Sequence, residues 1–433
     1  MHVIHRKTCR VCGSAALTEV INLGEQYLQG SFVKPGKQMP PQRKIPTNLV
    51  RCDPTKDEKA CGLLQMSKTL PPEILYSVYW YRSGTNQTMR DHLKGIAEEA
   101  VFLINKSDVP VLDIGCNDGT LLGYYPSSYK KFGIDPSDVA QEVKNGITVI
   151  QDLFPSEELA RATGGKPFDV ITSIAMFYDL ENPVQFVKKI KENLSEDGLW
   201  IFEMSYMPSM LQKCSYDTIC HEHLEYYSLA VIEYILKQVG MRLVKASLNS
   251  INGGSIRCYA THNHNPKFKN TGFLQDIERL RLSEFDMELD TDKPYKNFQD
   301  QINIHRHELT TLLTQLKKEK KTIHIYGAST KGNTILQFCD LDNTVIDYAA
   351  ERNPDKFGAK TLGTEIPIIS EAESRAMKPD YYLVLPWHFK EEFIEREKMT
   401  LDQGTGMIFP LPKVEVIKSK KSPQTIHRHT TDI

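Results

Sequence analysis

The densest run of reactive side chains is Tyr216–Leu229, YDTICHEHLEYYSL, with two histidines, two glutamates and three tyrosines in fourteen residues. Histidine has an unperturbed pKa of ~6.5, so near neutral pH it can take a proton and lose it again. The string His221-Glu222-His223 therefore reads as general base chemistry. An adjacent carboxylate can fix the imidazole tautomer and stabilise the imidazolium, and nearby phenols can hydrogen-bond an oxygen on which charge develops. Two alternatives stand beside this. The H-x-H pair could ligate a catalytic metal, although no third ligand accompanies it and H-E-x-x-H is absent. The histidines could also be satisfied residues at a domain interface.

A second chemical signal is Val111–Leu122, VLDIGCNDGTLL. A short apolar run ends in Asp113 and Ile114, and Gly115, Asn117, Asp118 and Gly119 turn the chain into a helical pattern. Glycines at such a turn let backbone approach a ligand that a Cβ would block. About twenty residues on, the strand-like run Tyr129–Ile134 ends in Asp135, placed to accept hydrogen bonds from ribose hydroxyls. The turn is not G-x-G-x-x-G and lacks the Lys-Ser/Thr of a phosphate-gripping loop, so its acids suit a neutral or cationic ligand better than a pyrophosphate. The segment resembles motif I, D-x-G-x-x-x-G, of S-adenosylmethionine (SAM)-dependent class I methyltransferases, here Asp113, Gly115 and Gly119. An ordinary strand-to-helix turn is the structural alternative.

The third signal is cysteine spacing. Cys9 and Cys12 form C-R-V-C-G, a knuckle that brings two thiolates onto one ion, and Cys52 and Cys61 follow some forty residues later. Four thiolates in two pairs fit a closed tetrahedral structural zinc site, although the second pair is more widely spaced than usual. A redox C-x-x-C is the rival reading. Zinc would staple a region too small to build its own core. Nine cysteines, with no disulfide-like spacing after residue 61, point to a reducing cytoplasm.

These groups must be held by an ordinary globular frame. The 433 residues are 40% apolar and 25% charged, with a net charge of −2. That balance gives no electrostatic case for nucleic acid, no run reaches the ~18–20 apolar residues of a membrane span, and the N-terminus is not a signal peptide. The expected fold class is α/β in three parts: a zinc-binding module over 1–70, a class I methyltransferase Rossmann-like domain over 71–262, and a smaller Rossmann-like domain over 321–417. A helical connector over 263–320 links the last two, and 418–433 is an expected disordered tail. Strand candidates 110–114, 130–134, 147–150, 168–174 and 198–204 alternate with helices, which implies a parallel sheet. The alternation restarts at Thr322–Tyr326 with the turn G-A-S-T-K-G-N. Tyr76, Tyr79, Trp80 and Tyr81 form an aromatic cluster in an expected helical stretch over 71–100.

Together the N-terminal cysteine pair, LDIGCNDGTLL, ICHEHLEYYSL, NGGSIR (252–257) and IYGASTKGN (325–333) resemble the sugar C-methyltransferase family, in order and over nearly the whole chain. The resemblance implies methylation of a carbon of a nucleotide-linked keto-deoxysugar bound in a cleft between the SAM and C-terminal domains, with SAM and a structural zinc as the bound groups. A base removes the proton α to the ketone, and the enolate attacks the methyl. The family's base corresponds to His223, with Glu222 beside it; where some members carry Tyr two residues before that Glu, this chain has Cys220. Tyr79 and Tyr81 match the aromatic segment near the sugar, Tyr79 as a catalytic candidate. Asn252, Gly253, Ser255, Arg257 and Lys331 are candidates for substrate and diphosphate. For SAM the matching positions are Asp113, Gly115, Asn117, Gly119 and Asp135, with Asp152, Leu153 and Phe154 toward adenine. Phe177 and Tyr178 are expected on the sulfonium side, Tyr178 reaching the substrate; core packing is their alternative. An O- or N-methyltransferase and a zinc-containing scaffold are the competing functions.

Overall fold

The computed structural model describes residues 3–36, 44–75, 82–143, 146–268 and 272–419. The chain forms two compact units, Met1–Glu25 with Ile45–Asp300, and Gln26–Lys44 with Gln301–Ile433.

The larger unit is built on a seven-stranded sheet. Its order is Met241–Asn249, Ser255–His262, Leu194–Ser205, Phe168–Ile174, Pro110–Ile114, Lys130–Ile134, Thr148–Ile150. Only Ser255–His262 runs antiparallel to its neighbours; the other six strands point the same way. Val111 and Leu112 are both fully buried but point into different cores, which is why the central strand reads as continuously apolar. One core lies under helices Pro183–Asn193 and Leu229–Val239, the other under Gln87–Ile104 and Thr120–Gly123. Helix Gln87–Ile104 starts where the Asn86 side chain accepts the Met89 N–H and ends at left-handed Asn105. Its buried stripe, Met89, Leu93, Ile96, Ala97, Ala100 and Ile104, follows helical spacing. The sequence changes winding direction beside Pro110–Ile114, and the carboxyl ends of such strands are where α/β sheets bind ligands.

A second sheet in this unit has the order Glu225–Tyr226, Leu64–Met66, Ile45–Cys52, Leu17–Gln26. Its outer strand comes from the H-E-H segment: Glu225 pairs with Gln65 and Tyr226 with Leu64.

The smaller unit has a six-stranded sheet ordered Ile368–Ser370, Tyr348–Glu351, Ile323–Tyr326, Tyr381–Val384, Gly406–Phe409, Glu415–Ile417, parallel except for the last strand. The segment Gln26–Lys44, expected within the zinc module, belongs here. Phe32–Val33 pairs with Lys360–Thr361, and the Asn333 side-chain amide donates to the Gln29 carbonyl at 2.6 Å. The expected connector is two helices. Leu274–Asp286 packs in the larger unit, where Glu284 accepts the Leu229 and Ala230 N–H groups at the start of helix Leu229–Val239. Lys293–Lys318 buries Phe298, Ile302, Leu309, Leu313 and Leu316. Among the described residues no helix is long and apolar enough to cross a membrane.

Candidate active site

The glycine turn sits at the carboxyl end of the central strand. Gly115 and Gly119 have φ of +73° and +71°, and a Cβ on Gly119 would lie 2.7 Å from Val143 Cγ1. The Asp135 carboxylate accepts the Asn117 N–H at 2.9 Å and the Ser137 N–H at 2.9 Å, so the acid after the second strand also braces the turn. Asp113 is buried and accepts the Thr172 hydroxyl at 2.6 Å. Burial pushes its carboxyl up to about 7, and the charges of Asp135 and Asp118 add to the rise. A turn with two positive-φ glycines and three mutually repelling acids suits the cationic, ribose-bearing SAM. Gly119→Ala, which strains the backbone and meets Val143, is expected to weaken SAM binding at least tenfold by calorimetric titration, with the circular dichroism spectrum unchanged.

A segment without an assigned role covers the turn. The Ser83 N–H donates to Asn117 Oδ1 at 2.9 Å and the Gly84 N–H to Asp118 Oδ2 at 2.7 Å. Arg82 forms an ion pair with Glu142 at 2.7 Å. Nothing in the composition of the run R-S-G-T-N-Q-T-M (82–89) says which loop it meets.

Asp113 also titrates in a useful window. Its folded pKa is raised from the ordinary 3.8, so stability from this group is full below about 4 and is lost as pH rises through about 7. Asp113→Asn keeps an acceptor for Thr172 and removes that loss, on the order of 4 kcal/mol. The difference in melting temperature, variant minus wild type, should grow from pH 4 to pH 8; a constant difference would refute the assignment.

Asp152 and Leu153 are exposed after the third strand, with Asp152 accepting the Leu153 N–H at 2.8 Å. Phe154 packs edge-on against Phe186, with ring centroids 5.5 Å apart. Phe177 lies in the core among Trp200, Phe202, Phe186 and Tyr227, with the Tyr227 ring stacked on it at 5.0 Å and only 1% of its surface exposed. That is the packing alternative for this residue. Tyr178, the next residue, points differently and meets His223 with ring centroids 4.2 Å apart.

The two histidines of the H-E-H string have separate environments. His221 is fully buried near Thr47 Oγ1 and the Ile45 carbonyl, both at 3.3 Å, and burial pushes it down to about 4. His223 is half-buried, with Nδ1 2.7 Å from the Thr218 carbonyl oxygen. A carbonyl only accepts, so Nδ1 carries the proton and the basic lone pair is on Nε2. The expected orienting carboxylate is replaced at Nδ1 by a backbone carbonyl. The Leu224 N–H donates to the Tyr178 carbonyl at 2.8 Å, tying this segment to the loop after the fourth strand. That loop also reaches the glycine turn, since a Cβ on Gly115 would lie 3.2 Å from Met176 Cγ. Gly115, Met176, Tyr178 and His223 therefore form a continuous path. Glu222 is buried, and its charge is among those that push up the buried Asp179 carboxyl, behind burial and Glu225.

The remaining candidates divide. Asn252 adopts φ +56° in the turn before strand Ser255–His262. The Ser255 hydroxyl is buried and donates to the Ile251 carbonyl at 2.9 Å. Arg257 does not present a spare charge for a diphosphate. Its Nε donates to Glu203 at 2.8 Å, Glu99 lies 3.4 Å from Nη1, and Nη2 is 3.2 Å from His92, whose Nε2 is 2.5 Å from Glu203. Lys331 is the second residue of helix Thr330–Phe338 in the smaller unit, where its charge helps lower buried His388, after burial. Tyr79 and Tyr81 lie outside the described residues.

The four cysteines do meet. Cys9, Cys12, Cys52 and Cys61 place their Sγ atoms within 4.8 Å of one another, and no other group of three or more potential ligands occurs among the described residues. The wide Cys52–Cys61 spacing is taken up by a folded turn: Asp53 accepts the Thr55 N–H and Asp57 the Lys59 N–H, each at 3.0 Å. Hydrogen bonds from Cys52 and Cys61 pull the Cys9 thiol down from its ordinary range. Four sulfurs in one small volume with a thiolate among them fit zinc.

Three domain models match the chain in succession. A zinc binding domain matches residues 9–76, a methyltransferase domain 81–246, and a C-methyltransferase C-terminal domain 250–412. The C-methyltransferase NovU of Streptomyces niveus is 26% identical over 96% of this chain and 97% of its own length. A tRNA U34 carboxymethyltransferase of Campylobacter jejuni is 29% identical over 24% of this chain and 38% of its own. Among solved structures, the magnesium protoporphyrin IX methyltransferase of Synechocystis, with S-adenosylhomocysteine bound, is 15% identical, with a TM-score of 0.33 over 42% of this chain and 90% of that one. With three domain models in order along the chain and one C-methyltransferase matched end to end, the chain is a SAM-dependent C-methyltransferase whose N-terminal residues match a zinc-binding domain.

Proposed function

We propose that this enzyme methylates a carbon α to the ketone of a nucleotide-linked keto-deoxysugar, with His223 as the general base. The observation that carries the reading is the path from Gly115 through Met176 and Tyr178 to His223. His223 takes the α proton at Nε2, because Nδ1 is committed to the Thr218 carbonyl. The Tyr178 ring borders the imidazole, where its phenol can stabilise oxygen charge as the enolate forms. Bound SAM supplies an electrophilic methyl group, and Asp113, Asn117, Gly119 and Asp135 would hold it. The sugar as acceptor is supported by the order of the NGGSIR and GASTKGN motifs after the H-E-H segment.

Incubation with methyl-labelled SAM and a panel of nucleoside-diphosphate 4-keto-6-deoxysugars tests this directly. Label is expected on carbon, located by NMR, with exchange of the α hydrogen into solvent when SAM is withheld. Label on oxygen or nitrogen would overturn the reading.

A further inference from the structure

The zinc knuckle and the base are joined by one buried side chain. Arg10 lies between Cys9 and Cys12, and its side chain has no solvent exposure. Nη1 donates to Gln65 Oε1 at 3.1 Å and to the Met66 carbonyl at 3.0 Å. Nε lies 3.6 Å from Glu225 Oε1, which is equally buried, and 3.3 Å from Glu181. The guanidinium thus grips both strands at the Glu225–Gln65 pair, where the H-E-H segment joins the zinc-bearing sheet. Burial pushes the Glu225 carboxyl well up, and Arg10 is the largest opposing influence. The next residue, Tyr226, directs its hydroxyl toward the Thr218 carbonyl at 3.5 Å, the same oxygen that holds His223 Nδ1. The Met66 N–H meanwhile donates to the Leu224 carbonyl at 2.9 Å, directly after His223.

We infer that Arg10 is a positioning residue for the reaction: through Glu225, Gln65 and Met66 it fixes the strand that follows His223, and so holds the imidazole on Thr218 with Nε2 basic. The knuckle then acts on chemistry as well as on folding. A lysine does not replace this arginine, because an ammonium placed where Nη1 meets the Gln65 and Met66 oxygens leaves no second nitrogen at the Nε position facing Glu225 and Glu181. The catalytic consequence rests on reading His223 as the base; the geometric one does not.

Arg10→Lys and Glu225→Leu test it in the full-length zinc-loaded protein. Four quantities are read: zinc per chain, SAM affinity, kcat with the panel sugar that is turned over, and the His223 tautomer by ¹⁵N NMR. Both variants are expected to keep one zinc and to hold SAM affinity within twofold. Their kcat should fall at least tenfold with little change in KM, and the Nδ1–H signal should give way to a mixture of tautomers. Unchanged kcat and an unchanged Nδ1–H signal in zinc-loaded variants would overturn the inference. If Arg10→Lys loses zinc or fails to fold, Glu225→Leu decides, since it leaves the knuckle sequence intact. A mixed tautomer in both variants alongside an active His223→Ala enzyme would support the positioning role and remove the base assignment.

Discussion

His223→Ala is expected to lower kcat by about 10²–10⁴-fold while leaving SAM affinity and the melting temperature close to wild type. The size follows from what a positioned base contributes to proton removal. The selectivity follows from geometry: His223 is half-buried at the end of the path from the glycine turn, whereas the turn itself is braced by Asp135, Ser83 and Gly84. The neighbouring histidine is the control. His221 is fully buried beside Thr47 and Ile45, and burial holds it neutral, so His221→Ala removes packing and a hydrogen bond rather than a base. Its main effect should be a loss of about 1–3 kcal/mol of stability with residual turnover in the folded fraction. Exchanged phenotypes, with His221→Ala stable but inactive, would place the base on the wrong histidine.

The difference between these two histidines is also where sequence reading reaches its limit. The H-E-H string announces chemistry, but both histidines look alike until strand Ile45–Cys52 covers one of them. Local features were legible because their physics is local. The glycine turn, the acid after the second strand and the five parallel strands each depend on residues adjacent in sequence. The wide-spaced Cys61 joins its partners because Asp53 and Asp57 fold the intervening chain, a device that can be seen only with the turn in place. Arg257 shows the opposite case. It reads as a phosphate ligand, yet Glu203 and Glu99 already match its charge from 54 and 158 residues away, with the His92 ring beside it. Gln26–Lys44 carries no signal of leaving the zinc module, because its partners, Lys360–Thr361 and Asn333, lie more than 300 residues on in sequence. Phe177 and Tyr178 are adjacent aromatics buried in one core, and only the folded chain shows that Phe177 packs on Tyr227 whereas Tyr178 meets the His223 ring.

Loss of zinc should have the other large effect, and it should reach the active site. Structural zinc contributes about 10–16 kcal/mol of apparent binding free energy in isolated finger peptides. Here part of that is replaced by sheet pairing, since the Cys52 N–H donates to the Leu63 carbonyl at 2.8 Å and Leu64–Met66 pairs on both sides. Cys12→Ser is therefore expected to abolish zinc binding and to cost at least about 5 kcal/mol, or roughly 10 °C in melting temperature for a unit of this size. Turnover should fall with it. Glu225–Tyr226 is the outer strand of the zinc-bearing sheet, so a loosened sheet releases the segment that carries His223. Among the described residues the glycine turn is braced by Ser83, Gly84 and Asp135, outside that sheet, so the folded fraction should still bind SAM. Metal analysis, differential scanning calorimetry and SAM titration of one preparation separate the two effects. A metal-free Cys12→Ser protein with wild-type melting temperature and kcat would show that the four cysteines neither staple the module nor support the base. A protein that loses SAM binding in step with zinc would mean that the cysteine cluster stabilises the whole larger unit rather than the H-E-H strand.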